Sequence, residues 1–127
     1  MTGFWIFMFL FNMMIPLTMA GFGHLFAKQA PGQINSLFGY RTSRSMKNKD
    51  TWQFAHAHIG KTWKMLGLVS LVLTALVMLF LFGKETDLVG RIGGIISGVQ
   101  VFIMIASIFP TESALKQTFD KNGKRKI

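Results

Sequence analysis

Residues 38–63 read FGYRTSRSMKNKDTWQFAHAHIGKTW, a basic and aromatic segment that lies between two long apolar stretches of the chain. The chain has 127 residues, 50% of them hydrophobic, and carries 14 Lys and Arg against 5 Asp and Glu. A water-soluble core interleaves its polar and apolar residues, whereas here the charges are grouped outside the apolar stretches. This segregation predicts an all-α integral membrane protein with an ordered, partly helical loop around this segment.

Three apolar stretches are long enough to cross about 30 Å of hydrocarbon, which takes roughly 20 residues of helix. The first has no basic residue before it and is longer than the apolar region of a signal peptide, so we expect it to be retained. The chain is therefore expected to be one membrane module. Its predicted spans are 4–27, 63–82 and 89–109, its loop is 28–62 and its basic tail is 110–127.

The basic residues predict the orientation. Twelve of the fourteen lie between the first two spans, at the start of the second, or after the third. Because Lys and Arg are retained on the cytoplasmic side, the loop and tail are expected to be cytoplasmic and the N-terminus outside, in a bacterial cell membrane. The same rule accounts for the net charge of +9, so nucleic-acid binding is not predicted.

The loop carries a cluster of cationic and hydroxyl side chains. Guanidinium groups, ammonium groups and hydroxyls are the donors that hold a phosphate, a carboxylate or an acidic partner at a membrane surface. An ordinary cytoplasmic loop that touches anionic headgroups has a similar composition, so both interpretations stay open. The candidate binding residues are Arg41, Thr42, Arg44, Ser45 and Lys47.

A helix is predicted to begin at Thr51, with Asp50 as its N-cap and Gln53 as the capping-box partner. Its aromatic face predicts that it lies in the membrane interface and then bends at Gly60 into the second span. The residues expected to give the loop its fold are Gly39, Tyr40, Asn48, Asp50, Trp52, His56 and Trp63.

No metal, cofactor or catalytic site is predicted. The chain has no cysteine. His56 and His58 are two residues apart, so on a helix they point in nearly opposite directions and do not chelate one ion together. With few carboxylates to act as general bases, the sequence does not favour an enzyme.

Polar and small residues within the spans predict how the helices pack. Pro16 interrupts the hydrogen bonding of the first helix. Gln100 is expected to face inward and bond Asn12, Ser70 or Thr74. The short turn 83–88 makes the second and third helices antiparallel neighbours. A ridge of small residues on the third helix suits either packing within the chain or a homodimer seam. That ridge consists of Gly90, Gly94 and Gly98.

The loop also resembles a known family. The residues that carry the resemblance are Gly39-Tyr40-Arg41-Thr42, Ser45-Met46-Lys47-Asn48, Thr51-Trp52, Ala55-His56 and Gly60-Lys61, preceded by Ile15-Pro16 and Asn35. This pattern is similar to that of the SdpI family of bacterial membrane proteins, over a three-span module. The resemblance implies an immunity protein against a membrane-active toxin peptide, with a cytoplasmic regulator as a further partner. The alternatives are a module that binds lipid headgroups and an oligomeric small transporter.

Overall fold

The computed structural model describes residues 2–32, 34 and 39–126. Its helices are α1 (Thr2–Lys28), α2 (Lys49–Phe80), α3 (Thr86–Ala106) and α4 (Ile108–Thr118). Three helical stretches, α1, α2 and Thr86–Thr118, are long and apolar enough to cross a membrane. The predicted all-helical fold with three spans is therefore confirmed. Large apolar side chains on their outer surfaces, such as Phe80 at 78% exposure, suit contact with lipid. Asn35 and Phe38 of the sequence pattern lie outside the described residues.

The start of α2 differs from the sequence prediction. Asn48 is the N-cap, because its Oδ1 accepts from the Thr51 backbone N–H at 2.9 Å. The Thr51 hydroxyl oxygen in turn accepts from the Asn48 N–H at 3.0 Å, which completes a capping box. Asp50 therefore lies inside the first turn, where the helix dipole favours a negative charge.

The expected bend at Gly60 is wrong, since α2 runs without interruption from Lys49 to Phe80. Gly60 serves instead as a contact surface for α1. A Cβ placed on Gly60 would lie 2.8 Å from the Gly23 carbonyl oxygen, and a Cβ on Gly23 would lie 2.8 Å from the Gly60 oxygen. Gly67 approaches the Pro16 carbonyl in the same way. These glycines allow the two backbones to touch.

A polar cluster joins the middle of α1 to the other spans. Gln100 of α3 donates from Nε2 to the Asn12 carbonyl oxygen at 2.9 Å and to the Thr74 hydroxyl at 3.0 Å. The Ser97 hydroxyl donates to Asn12 Oδ1 at 2.6 Å. Asn12 and Gln100 are 0% and 4% exposed. The prediction that Gln100 faces inward and bonds Asn12 or Thr74 is confirmed.

The glycine ridge of α3 divides between two environments. Gly93 packs against Met8 and Asn12 of α1, and Gly90 lies near the ring of Phe4. A Cβ on Gly94 or Gly98 would meet no described atom within 4 Å. Packing within the chain therefore uses Gly90 and Gly93, which lies one residue round the helix from the predicted ridge.

The connection between α2 and α3 is short, and α1 packs against both of these helices. Between α2 and α3 runs an apolar groove of about 210 Å³. The residues that line its two sides include Leu73 and Val77 on α2 and Ile96 and Val99 on α3. α2 and α3 are therefore held together mainly by their shared packing against α1, and less by direct contact with each other.

The C-terminal region, which the sequence predicted only as a basic tail, is folded. α4 follows α3 directly at Ser107, and an isolated antiparallel bridge pairs Phe119 with Arg125. Leu115 and Phe119 are 1% and 4% exposed and join a hydrophobic cluster with loop and α2 residues. We call residues 39–63 together with 107–126 the head of the molecule. The remaining members of its cluster are Phe26, Tyr40, Ala55 and Ile59.

Candidate functional site

Ser45 is the centre of the loop in the head. Its hydroxyl proton is shared between the carbonyl oxygens of Tyr40 at 2.9 Å and Thr42 at 3.0 Å, and its oxygen accepts from the Thr42 N–H at 2.9 Å. The Ser45 N–H donates to the Thr42 hydroxyl oxygen at 3.2 Å. Ser45 is fully buried. Its hydroxyl, predicted to bind an anion, therefore holds the loop in one conformation.

His56 anchors the start of this loop. The Tyr40 N–H donates to His56 Nε2 at 2.8 Å, while Nδ1 lies 2.8 Å from the Trp52 carbonyl oxygen. A carbonyl only accepts, so Nδ1 carries the proton and His56 is neutral. Gly39 precedes this bond with φ of 111°, and a Cβ there would lie 2.7 Å from His56 Nε2. The loop therefore requires glycine at residue 39.

The two histidines of α2, His56 and His58, have separate structural roles. His58 Nδ1 lies 2.9 Å from the Thr111 hydroxyl and so connects α2 to α4. His56 is committed to Tyr40 and Trp52, as above. Among the residues the structure describes, no group of three histidine or carboxylate side chains is placed to hold a metal ion.

Glu112 of α4 is the common partner of three side chains of the loop. Its Oε2 accepts from the Tyr40 hydroxyl at 2.6 Å and from the Thr42 hydroxyl at 2.8 Å. Arg44 Nε lies 3.8 Å from Oε1. Two hydroxyl donors and one cation around a carboxylate form an anion-binding arrangement. The anion that it binds is the chain's own Glu112 carboxylate.

Tyr40 is held in its neutral form at this junction. Burial raises the pKa of Tyr40 far above its usual value near 10, and the hydrogen bond and negative charge of Glu112 raise it further. The phenol therefore keeps its proton and donates to Glu112 throughout the physiological pH range.

The last residues form a strap across the start of α2; we define the strap as residues 119–126. Arg125 makes two hydrogen bonds of 2.8 Å to the Asp50 carboxylate, and Asn48 Nδ2 donates to the Gly123 carbonyl at 2.8 Å. The Arg125 guanidinium also lies 5.0 Å from the ring centre of Phe119. Asn48 and Asp50, predicted to hold the loop's own turn, thus also hold the C-terminus.

The tryptophans of α2 are anchored within the protein, and their predicted position at the membrane interface stays a prediction. Trp52 is 2% exposed and donates from Nε1 to the Pro31 carbonyl at 2.9 Å. Trp63 donates to the Ser107 hydroxyl at 2.8 Å, at the junction of α3 and α4. Each indole N–H is satisfied within the protein, which fixes α2 against its neighbours.

An open cleft of about 450 Å³ lies between α1, α2, the loop and the start of α4. Its walls are mainly aromatic and aliphatic, whereas Arg41 and Thr42 form its polar rim. Arg41 is exposed there. The cleft thus combines an apolar interior with a cationic mouth. The apolar lining comes from Phe22, Phe26, Ile59, Trp63 and Ile108.

The predicted binding residues separate into four groups. Thr42 and Arg44 face Glu112, Ser45 is internal, and Arg41 lies at the cleft. Lys47 is exposed, with its Cβ close to Gly123 of the strap. The sequence therefore predicted one cluster where the structure has several.

Sequence reasoning missed the contribution of α4. Glu112, Thr111 and Ser107 each bond a residue of the loop or of α2. The available signal was the placement of Glu112, one of two acidic residues in the basic C-terminal region 110–127. Its partner in the loop is 70 residues away in sequence, which no local pattern indicates.

The fold and the head define a small multi-pass helical membrane protein with three spans. The SdpI/YfhL protein family model matches residues 33–111, which include α2, α3 and the first turn of α4. The match covers more than half of the chain, and the chain belongs to this family. No curated protein and no solved structure matches the chain significantly.

Proposed function

We propose that this chain is a membrane immunity protein that protects a cell from a membrane-active toxin peptide. In this proposal it acts by binding, at the head, the peptide or the membrane component that the peptide attacks. Membership of the SdpI/YfhL family supports the proposal. Family membership alone indicates a scaffold, so the function has to be argued from the head itself.

The cleft is the observation that carries the proposal. It offers an apolar volume of about 450 Å³ beside a cationic rim, which suits a ligand with an apolar body and a polar or acidic end. Such amphipathic chemistry is shared by membrane-active peptides and by lipids. The surrounding loop is held by Ser45, His56 and Glu112, so the cleft walls are ordered before any ligand binds.

The proposal is one of binding without covalent chemistry. The groups of the head that resemble catalytic residues, His56 and Glu112, are each engaged in structural hydrogen bonds. We further propose that the head is cytoplasmic, in a bacterial cell membrane, because it carries the excess of Lys and Arg.

Survival of a sensitive bacterium tests this function. Cells that express the protein are exposed to a secreted killing-factor peptide of the kind that the SdpI family resists, beside cells that express Arg41→Ala at equal abundance. We expect the wild-type chain to protect and Arg41→Ala to lose protection. Lys121→Ala removes one basic charge from the exposed strap and is expected to protect fully. Full protection by Arg41→Ala would exclude the cleft rim from the function.

A lipid-binding module is the second candidate, and the position of Arg41 favours it. A cation at the mouth of an apolar cleft matches an anionic headgroup as well as it matches an acidic peptide. The immunity function and the lipid-binding function are compatible if the membrane component that the head binds is itself a lipid.

A further inference from the structure

The cleft and the Glu112 junction share two residues. Tyr40 and Thr42 line the cleft, and the hydroxyl of each donates to Glu112 Oε2. Each hydroxyl has one proton to donate. The donors nearest to the cationic rim are therefore already used by a carboxylate of α4, and a second anion in the cleft would compete for them.

The cleft also reaches the outer face of α1, a helix that is long and apolar enough to cross a membrane. Thr18, at its lower edge, is exposed on α1, within a membrane-spanning stretch. A shallow groove of about 340 Å³ on the outer face of α1 shares Thr18 and Phe22 with the cleft and continues past Leu17 and Leu25. An apolar chain lying along α1 therefore reaches the cleft without crossing the polar head.

We propose that the cleft binds an anionic phospholipid, with an acyl chain between Phe22 and Trp63 and the phosphate at Arg41, where it competes with Glu112 for the Tyr40 and Thr42 hydroxyls. A lipid fits better than a soluble anion because the cleft is mostly apolar and joins the α1 surface groove. An anionic headgroup fits better than a neutral one because Arg41 lies on the rim. This inference rests on the head cleft and does not depend on the protection of cells.

The competition connects the cleft to α4. Glu112 is held by Tyr40, Thr42 and Arg44, so a phosphate that takes the two hydroxyls leaves the carboxylate with Arg44. Lipid binding then weakens the attachment of α4 to the loop.

Lipid retention by the purified full-length protein tests the proposal. Detergent-solubilised protein is mixed with equal amounts of phosphatidylglycerol and phosphatidylcholine that carry the same acyl chains, and the retained lipid is measured by native mass spectrometry. We expect preferential retention of phosphatidylglycerol. Arg41→Ala should weaken it about fivefold, the contribution of roughly one basic residue beside an anionic lipid. Lys121→Ala, which removes the same charge away from the cleft, should leave retention unchanged.

Glu112→Gln provides the opposite test. The amide oxygen still accepts from Tyr40 and Thr42, so the head keeps its fold, while the competing negative charge is removed. We expect this variant to retain more phosphatidylglycerol than the wild-type chain. Equal retention of the two lipids, equal losses in Arg41→Ala and Lys121→Ala, or weaker retention in Glu112→Gln would each overturn the proposal.

The killing-factor peptide separates the two ligand classes. If the cleft is a peptide site only, labelled peptide binds the wild-type chain while phosphatidylglycerol shows no preference and no response to Arg41→Ala. That result rejects the lipid proposal and leaves the protective function intact. Lipid selectivity with the expected variant effects, without protection in the survival assay, rejects the protective function and supports the lipid site.

Discussion

Gln100 of α3 lies 2.9 Å, from Nε2 to oxygen, from the backbone carbonyl of Asn12, the group whose helical hydrogen bond is removed by Pro16. Residue 16 would normally donate its N–H to residue 12, and proline has no N–H to donate. An unpaired carbonyl inside a bilayer is costly, so a side chain from a neighbouring helix replaces the missing donor. The Gln100 Oε1 atom has no partner among the described residues. The stabilisation therefore comes through Nε2.

Replacement of Gln100 by Leu is expected to lower the free energy of unfolding in detergent micelles. The change leaves the Asn12 carbonyl without its donor and removes the bond to Thr74, at a cost of about 1 to 2 kcal/mol. The effect should be smaller in a Pro16→Ala background, because alanine at residue 16 restores the backbone donor to Asn12. A double-mutant cycle with these two substitutions measures that coupling. Purely additive losses would contradict the role assigned to Gln100.

The close crossing of α1 and α2 predicts different effects for two glycines. Gly60→Ala places a Cβ against the backbone of α1, so we expect a loss of about 1 to 3 kcal/mol in unfolding free energy. Gly94→Ala, which faces open space in the monomer, should change stability by less than about 1 kcal/mol. Equilibrium unfolding of both variants provides the comparison. A severe effect of Gly94→Ala on stability or on size in detergent would indicate instead that α3 packs against another copy.

Tyr40 gives the head a dependence on high pH. Its folded pKa is raised above the unfolded value of about 10, so the neutral phenol contributes stability that is complete below pH 10 and is lost as the pH rises toward the folded value. Tyr40 is the single tyrosine of the chain, so phenolate absorbance reports on it alone. We expect no phenolate signal near pH 10 while the protein is folded. Ionisation with a midpoint near 10 in the folded state would contradict the buried junction with Glu112.

The strap is expected to be a weakly held segment. The Arg125 and Asp50 side chains are 56% and 47% exposed, and water and salt screen such exposed ion pairs, which contribute little to stability. Arg125→Ala should therefore leave global stability nearly unchanged. It should accelerate hydrogen exchange at the Lys126 amide, which donates to the Thr118 carbonyl at 2.8 Å. Lys121→Ala serves as the charge-matched control. Equal exchange in both variants would show that the ion pair does not hold the strap.

The membrane architecture was readable from sequence because hydrocarbon imposes length and composition on each span. Gln100 was also predictable, since an isolated amide in an apolar helix needs a partner inside the protein. The uninterrupted course of α2 was not predictable in this way. Gly60 reads as a hinge in isolation, and only its contact with Gly23 shows that it is a packing surface. Such a pairing depends on how two distant segments cross.

The candidate site was only partly predictable, again because its contacts depend on how distant segments meet. Its residue types were identified, but the roles of Thr42, Arg44 and Ser45 depend on which acceptors surround them. Ser45 finds acceptors within the loop, and Thr42 and Arg44 find Glu112 on α4. The loop acceptors and Glu112 come close to these side chains only in the folded head. The sequence alone therefore indicated a cluster that is open to an external anion.

Filling the cleft tests the central claim most directly, because it changes no charge. Thr18→Trp places a large side chain at the edge of the cleft on the outer face of α1, whereas Leu10→Trp adds one at an exposed residue of α1 that lines neither the cleft nor the α1 groove. Survival against the killing-factor peptide is measured at equal protein abundance. The account predicts that Thr18→Trp loses protection and Leu10→Trp retains it. Full protection by Thr18→Trp would contradict the assignment of the cleft as the functional site.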